Sequence, residues 1–323
     1  MRAVQVVAPG RAEFVEIPVP PLQPGYALVR PHLISLCGSD IQMLHHEAPE
    51  LYPFPPGTTG HEVVARVEAV DAGDIPFKVG DLTLTLAPKH GAMAEYYLAP
   101  VEHVLPLPAG SPPEHLLMAQ QLGTVIYACK QLPNLIGKTV AVIGQGSAGL
   151  WFDFMLSRLG AERIVAIDLQ AHRLAHSRRY GATHMVHNGP EDPVERLLDV
   201  NGGNLADVVI EAAGRESAVN LAIALAAEYG FLLQFGVPLG QQFTIDYYRM
   251  FKKCLTNKSI VHASREEGQG STRYALELIA SGAIDVAPIL THRFPFERVC
   301  EAYELQRTAG DGSVKIIVEM PGP

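Results

Sequence analysis

The sequence predicts an α/β protein in which a doubly wound parallel sheet is inserted in a β-rich domain formed by both ends of the chain. Up to about residue 108, short Val-rich runs such as YALVRPHLI and DLTLTLA alternate with Pro and Gly, a pattern typical of short β-strands. From about residue 137, strand-like runs such as KTVAVIG and ERIVAID alternate with helix-length segments. This second pattern indicates βαβ units and a parallel sheet covered by helices on both faces.

The segment after about residue 264 predicts one amphipathic helix, TRYALELIASG, followed by the segment FERVCEAYELQR and a final strand, SVKIIVEM. It is too small to fold alone, and 323 residues exceed what one hydrophobic core usually fills. We therefore expect it to complete the first domain, with residues 1–121 and 266–323 forming one domain and residues 122–265 the inserted one. Within the insert, AVNLAIALAAEYG is predicted to be a helix and GFLLQFG the strand that follows it.

Composition and charge limit the kinds of partner. The formal net charge of -9 argues against nucleic acid or an anionic membrane, because both require clustered basic residues. A small molecule is the expected partner. The four cysteines are scattered without CxxC pairs, and no apolar run approaches the length of about 20 residues that spans a membrane. We therefore expect a cytoplasmic protein.

A glycine-rich motif, GQGSAG at residues 144–149, directly follows the predicted strand TVAVI and opens a helix. In that context Gly144 permits a tight turn, Gly146 lets a pyrophosphate approach, and Gly149 allows close helix–strand packing. The free N–H groups at the helix start, from Ser147 and Ala148 onward, favour phosphate. The motif therefore predicts a dinucleotide site, although a structural turn or a methyltransferase could show the same residues.

Asp168 ends the next predicted strand, about twenty residues beyond the glycines. A carboxylate there accepts hydrogen bonds from the adenosine ribose and repels a 2′-phosphate, so NAD is favoured over NADP. Arg173 lies nearby in the sequence and could contact a phosphate or flank the adenine.

Two motifs in the β-rich half carry potential metal ligands: Cys37-Gly-Ser39-Asp40 and Gly60-His61-Glu62. A thiolate and an imidazole suit zinc. Neither residue alone is specific, because a single Cys is most often a small buried hydrophobe.

The order CGSD, GHE, GxGxxG, Asp and a KIIVE-type strand resembles the medium-chain zinc-dependent dehydrogenase/reductase family, which includes sorbitol, threonine, glucose and alcohol dehydrogenases. The resemblance covers essentially the whole chain. It implies a Rossmann domain inserted in a discontinuous GroES-like catalytic domain, with NAD and zinc as cofactors.

By this resemblance, Cys37 and His61 are zinc ligands, and Glu62 is a ligand or a near neighbour of the metal. Asp40 orients the His61 imidazole, and Ser39 accepts the substrate proton. The segment QQLGT places Gln120 at the third ligand position and Thr124 against the nicotinamide. Further implied cofactor contacts are Ala212 and Gly214 in the segment Glu211–Gly214, together with Gly236 and Lys315.

Three departures from the family pattern bear on the chemistry. Gln120 is neutral, so zinc is held less tightly unless Glu62 also binds it. The family's four-cysteine loop is missing from GDLTLTLAPKHGAMAEYY, so we expect one catalytic zinc and no structural zinc. Gln42 stands where relatives often carry a His of the proton relay, which leaves water, His45 or His46 as the next proton carrier.

The implied reaction transfers a hydride between a secondary alcohol, polyol or sugar and NAD, with zinc as Lewis acid. Two alternatives remain at this stage: a zinc-free NAD(P)H-dependent enone or quinone reductase of the same fold, and a non-catalytic nucleotide-binding sensor. By analogy with relatives, the apolar run at Ile260 and Val261 predicts a homodimer or homotetramer.

Overall fold

A computed structural model describes residues 1–260 and 263–322 of the chain. These residues form two compact units, one of residues 1–124 and 263–322 and one of residues 125–260. The unit bounds lie within five residues of the domain bounds predicted after residues 121 and 265. The independent folding of those domains stays a prediction. Val261, part of the run on which the oligomer prediction rests, lies outside the described residues.

The first part of the chain consists of seven strands and three helices. They are β1 (Arg2–Ala8), β2 (Arg11–Glu16), β3 (Tyr26–Ser35), α1 (Gly38–His45), β4 (Glu62–Asp71), β5 (Leu82–Leu86), β6 (Tyr97–Pro100), β7 (Val104–Pro106), α2 (Pro113–Leu116) and α3 (Ala119–Cys129). The first half of β3 alternates buried and partly exposed residues, as a strand with one face on a core does. In β4 four consecutive residues from Glu62 are buried, so both faces of that strand are covered.

The second unit contains a six-stranded sheet with helices between its strands. Its elements are β8 (Thr139–Ile143), α4 (Ser147–Arg158), β9 (Arg163–Asp168), α5 (Ala171–Ser177), β10 (His184–His187), α6 (Pro193–Val200), β11 (Ala206–Glu211), α7 (Glu216–Leu225), β12 (Ala226–Gln234), α8 (Tyr247–Lys252) and β13 (Thr256–Ser259). All neighbouring strands are parallel, in the order β10-β9-β8-β11-β12-β13. The order reverses on either side of β8, where doubly wound sheets bind their ligands.

The C-terminal segment returns to the first unit with α9 (Gly270–Ala280), β14 (Leu290–Pro295), α10 (Val299–Thr308) and β15 (Lys315–Glu319). β15 pairs antiparallel with β3, which gives the seven-stranded sheet β14-β15-β3-β4-β5-β7, with β6 also pairing with β3. The core of this unit draws on both chain segments, since Ile34 and Val63 cluster with Phe296 and Ile316. The predicted fold class is confirmed.

One predicted element was wrong in its bounds. The helix expected over AVNLAIALAAEYG ends at Leu225, and residues 226–229 already belong to β12. The Lys253 ammonium donates to the carbonyls of Ile223, Ala224 and Ala226 at 2.6–3.0 Å and so closes the helix end. This cap comes from a residue distant in sequence, so the local pattern of small apolar residues could not show where the helix stops.

Across residues 1–260 and 263–322, no helix combines the length and the apolar character that crossing a bilayer requires.

Candidate active site

The buried carboxylate of Asp40 joins the two segments that carry the predicted metal ligands. Asp40 lies in the first turn of α1, and its Oδ2 accepts a hydrogen bond from the backbone N–H of Cys37 at 2.8 Å. Its Oδ1 accepts from the backbone N–H of Gly60 at 2.9 Å. One side chain therefore fixes the backbone beside both Cys37 and His61.

Glu62, the first residue of β4, has one carboxylate oxygen occupied and one without a hydrogen-bond partner. Oε2 accepts a hydrogen bond from the Ser35 hydroxyl and lies 2.6 Å from the Nζ of Lys315. Oε1 is buried and has no such partner. A buried polar atom without a partner is costly in free energy unless something binds it, so Oε1 is available as a ligand.

The His61 imidazole lies between two carboxylates. Its Nε2 is 3.9 Å from Glu62 Oε1, and its Nδ1 is 3.9 Å from Asp40 Oδ1. Burial opposes the charged ring, but Asp40 and the Cys37 sulfur outweigh it and raise the pKa of His61 well above its usual value. The pKa of Asp40 is lowered: burial opposes this shift, but His61, His90 and the Gly60 N–H outweigh it. Burial and the neighbouring His61 lower the pKa of His90 to about 4.

Cys37, His61 and Glu62 form a group that fits a zinc ion. One donor atom from each residue lies within 4.8 Å of the others. The set of one sulfur, one nitrogen and one oxygen is usual for zinc, and three protein ligands are the number found in catalytic sites. The free Oε1 of Glu62 completes this set. The geometry thus brings together three of the four metal ligands that the sequence proposed, Cys37, His61 and Glu62.

The nearby amide that contacts the cluster is that of Gln121. Its Nε2 lies 3.9 Å from Cys37 Sγ. Gln120, the predicted third ligand position, accepts the Thr124 hydroxyl on its backbone oxygen at 3.1 Å. Metal binding by Gln120 stays a prediction. The family resemblance did not single out Gln121, because the contacts of a helical residue depend on how the helix is rotated, and neighbouring positions differ by about 100° in direction.

Three residues bear on the predicted proton path. The hydroxyl oxygen of Ser39 is buried and has no hydrogen-bond partner, so it is free to accept or donate a proton-transfer hydrogen bond. Gln42, at the position where relatives often carry a His of the proton relay, donates its side-chain N–H to Glu47 Oε1 at 2.7 Å. His45 lies against the Gly10 turn, as a Cβ on Gly10 would be 3.2 Å from its ring.

In the second unit, the glycine turn after β8 has the conformation that the sequence predicted. Gly144 has φ +94°, in the left-handed region that favours glycine. A Cβ on Gly149 would lie 1.9 Å from the Gly144 carbonyl oxygen, whereas one on Gly146 would meet only Arg173 Nη1, at 3.7 Å. Gly149 is thus required by packing. Gly146 has space beside it at the start of α4, where Ser147 and Ala148 form the first turn.

Asp168, the last residue of β9, lies beside this turn and stabilises it by accepting backbone hydrogen bonds. Its Oδ2 accepts the backbone N–H of Gln145 at 2.5 Å, and its Oδ1 accepts that of Gln170 at 2.7 Å. Each oxygen keeps a further lone pair for another donor. Burial lowers the pKa of the Arg173 guanidinium. The neighbouring Asp168 carboxylate raises this pKa, but by less than burial lowers it.

The remaining predicted cofactor residues of this unit follow the neighbouring strands. Ala212 follows β11, and its backbone would be 3.0 Å from a Cβ on Gly144. Gly214 and Gly236, after β11 and β12, approach so closely that a Cβ on Gly236 would lie 2.2 Å from the Gly214 nitrogen. The carboxyl ends of β8, β9, β11 and β12 therefore gather these residues at one edge of the sheet, where doubly wound folds bind ligands.

Two predicted cofactor residues, Thr124 and Lys315, belong to the first unit. Lys315 is almost fully buried and paired with Glu62, a contact that the sequence did not reveal. The cofactor contacts proposed for Thr124 and Lys315 stay predictions.

Matches to two known protein families identify the family of this chain. Residues 23–109 match the family described as the alcohol dehydrogenase GroES-like domain, and residues 149–281 match the family described as zinc-binding dehydrogenase. The chain belongs to the zinc-dependent medium-chain dehydrogenase family. It is an oxidoreductase that acts on alcohols, as the sequence resemblance predicted.

Curated and solved members of this family match along almost their whole length. The L-threonine 3-dehydrogenase of Bacillus velezensis is 28% identical, with 95% of each chain covered. The sorbitol dehydrogenase of Mus musculus is 28% identical, with 93% of this chain and 90% of that protein covered. The solved alcohol dehydrogenase of Thermus sp. ATN1 is 27% identical, with a TM-score of 0.82, 99% coverage of this chain and 100% of that one.

Proposed function

We propose that this dehydrogenase transfers a hydride between a secondary alcohol, polyol or sugar and NAD, with one zinc ion held by Cys37, His61 and Glu62. The observation that carries the proposal is the Glu62 carboxylate. One of its oxygens is tied to Ser35 and Lys315, while the other is buried, unpartnered and beside the His61 ring. An oxygen in that position is suited to a cation.

Zinc bound by these side chains would supply Lewis-acid chemistry that makes an alcohol easier to deprotonate. The chain's own residues do the rest. Asp40 holds the backbone of Cys37 and Gly60, which keeps the donor atoms in place. Ser39 has a buried hydroxyl without a partner, and we assign it as the acceptor of the alcohol proton. Gln120 is retained as a candidate additional ligand.

The proposed preference for NAD rests on Asp168. Its carboxylate closes the glycine turn from the end of β9, the position from which an acid accepts the adenosine ribose hydroxyls. The same negative charge disfavours a 2′-phosphate, because like charges at short range repel. Arg173 supplies a positive charge beside the same turn. Its guanidinium group lies near Gly146 and is suited to bind a pyrophosphate oxygen.

A homodimer or homotetramer is the proposed assembly. β13 ends the parallel sheet as the structure describes it, so one of its edges is available for pairing. Tyr247, Tyr248 and Phe251, on the adjacent α8, are each more than 60% exposed, and exposed aromatic groups are typical of interfaces. Sedimentation at several protein concentrations tests this assignment.

The decisive experiment combines zinc quantification with NADH formation from a panel of polyols, sugars and secondary alcohols. We expect about one zinc per chain and activity on part of the panel. Cys37→Ala should lose the zinc and lower kcat/KM by at least about 1000-fold, by loss of a Lewis acid worth several kcal/mol. Cys300→Ala removes an exposed cysteine and is the matched control, with zinc content and rate unchanged.

Other outcomes would favour the alternatives. Enone or quinone reduction at an unchanged rate in Cys37→Ala would indicate a zinc-free reductase, and nucleotide binding without turnover of any substrate would indicate a sensor. A kcat/KM higher for NADP than for NAD would contradict the role proposed for Asp168. The cytoplasmic location stays a prediction.

A further inference from the structure

The turn that connects β5 to β6 places a second imidazole against the His61 ring. The His90 and His61 ring centroids are 4.6 Å apart and the ring planes cross at 65°, an edge-to-face contact. This turn is part of the segment in which the family's four-cysteine loop is missing. His90 belongs to none of the motifs that predicted the site.

The backbone of this turn is anchored to the backbone of His61 and of the preceding Gly60. The N–H of Ala87 donates to the His61 carbonyl at 3.3 Å, and the N–H of Ala92 donates to the Gly60 carbonyl at 3.2 Å. His90 itself has φ +59° and its N–H donates to the Ala87 carbonyl at 2.8 Å. A side chain in the left-handed region is uncommon outside glycine, and these hydrogen bonds keep it there. The position of the His90 ring is therefore coupled to that of the His61 backbone.

Asp40 does not fix the orientation of the His61 ring by itself. Its two oxygens already accept the N–H groups of Cys37 and Gly60, and the nearer one is 3.9 Å from His61 Nδ1. That distance exceeds a hydrogen bond. The Nδ1 atoms of both His61 and His90 are buried without hydrogen-bond partners. A metal-binding histidine needs a neighbour that holds its ring plane, and ring packing by His90 meets that need.

We propose that His90 is a positioning residue that limits rotation of the His61 ring and thereby aims Nε2 at the site shared with Cys37 and Glu62. It acts on zinc affinity and coordination geometry through His61, without touching the metal or the substrate. The inference rests on the zinc site proposed above. Aromatic pairs favour this edge-to-face arrangement, in which the edge of one ring meets the face of the other.

The test replaces the ring while preserving the backbone. His90→Asn removes the ring with the side chain that best tolerates a positive φ, and His90→Phe restores a ring without nitrogens. Lys89→Ala, at an exposed neighbour in the same turn, is the matched control. Zinc dissociation constants come from competition with a chromophoric chelator, and geometry from the visible spectrum of the Co²⁺-substituted protein.

We expect His90→Asn to weaken zinc binding about 10- to 100-fold, as loss of a supporting contact to a ligand typically does, and to shift the Co²⁺ bands. His90→Phe should restore most of the affinity, and Lys89→Ala should match the wild type. Wild-type affinity and spectrum in His90→Asn would overturn the proposal. So would a Phe variant that melts at the wild-type temperature yet binds zinc as weakly as the Asn variant.

Failure of the zinc site itself has a different signature. If the wild type binds no zinc, or Cys37→Ala binds it normally, the proposed function fails and the role of His90 fails with it. If Cys37→Ala abolishes binding while His90→Asn has no effect, only the role of His90 is wrong. Thermal melting of the metal-free variants shows whether a loss of affinity comes from unfolding instead.

Discussion

Lys315 Nζ lies 2.6 Å from Glu62 Oε2 in a buried ion pair that joins the last strand of the chain to the first residue of β4, a proposed zinc ligand. Because the Ser35 hydroxyl donates to the same oxygen, the carboxylate is held with its other oxygen toward His61. The C-terminal segment thus contributes directly to the proposed metal site.

The ion pair predicts a large effect from removing one partner. Lys315→Met leaves the Glu62 carboxylate buried without its counter-charge, so the free energy of unfolding should fall by about 3–5 kcal/mol. The double variant Glu62→Gln/Lys315→Met buries no net charge and should recover most of this loss. Urea unfolding of the chelator-treated proteins measures both. A double variant no more stable than the single one would contradict this account.

Asp40→Asn should weaken zinc binding. The amide keeps the size of the side chain but has only one acceptor oxygen, so it cannot accept from both Cys37 and Gly60. Loss of such a supporting interaction costs about 10- to 100-fold in metal affinity, measurable by chelator competition. Asp74→Asn, at an exposed loop position, is the control. Equal affinities in the two variants would show that Asp40 does not position the ligands.

Replacing Gly149 by alanine should impair folding, whereas replacing Gly146 by alanine should impair cofactor binding. In Gly149→Ala the new Cβ would lie 1.9 Å from a backbone oxygen, so the Tm should drop and little folded protein should be recovered. In Gly146→Ala the Cβ has space, so the Tm should stay close to that of the wild type. NADH binding should nevertheless weaken by at least about 10-fold, because the methyl group occupies the approach of the pyrophosphate. Fluorescence titration and thermal melting separate the two effects, and normal NADH binding by Gly146→Ala would argue against a dinucleotide at this turn.

Asp153, in the middle of α4, predicts a pH-dependent change in stability. Burial raises the pKa of its carboxyl well above the usual value, more than the Gln145 amide lowers it, and neither oxygen has a hydrogen-bond partner. The folded state therefore retains a proton that the unfolded state releases near its ordinary pKa. Stability from this group is present at low pH and is lost as the pH rises toward the folded-state pKa.

Asp153→Asn removes this titration, so its unfolding free energy relative to the wild type should increase with pH. The increase should be as much as about 1.4 kcal/mol per pH unit above about pH 4, until the buried carboxyl ionises. Urea unfolding at pH 5 and pH 7 measures it. Asp199→Asn, at an exposed residue of the same unit, should show no comparable increase. A difference that stayed constant between the two pH values would mean that Asp153 is not the titrating group.

Much of the fold followed from short-range patterns. Alternation of strand and helix predicted the parallel sheet, and the turn at residues 144–149 appeared where a strand of apolar residues ended. The pairing of Cys37 with His61 was implied by family resemblance, since no spacing rule connects the segment that follows β3 with the one that precedes β4. The end of α7 was misplaced because the small apolar residues after Leu225 suit helix and strand alike.

The sequence by itself determined the family, the two kinds of sheet and the residues whose chemistry suits zinc and a dinucleotide, because periodicity, turn glycines and ligand types are local properties. Only the tertiary structure decided which atoms meet: Lys315 with Glu62, Gln121 with Cys37, and His90 with His61. These contacts depend on strand order and on helix rotation, which the packing of distant segments sets and which no local pattern records.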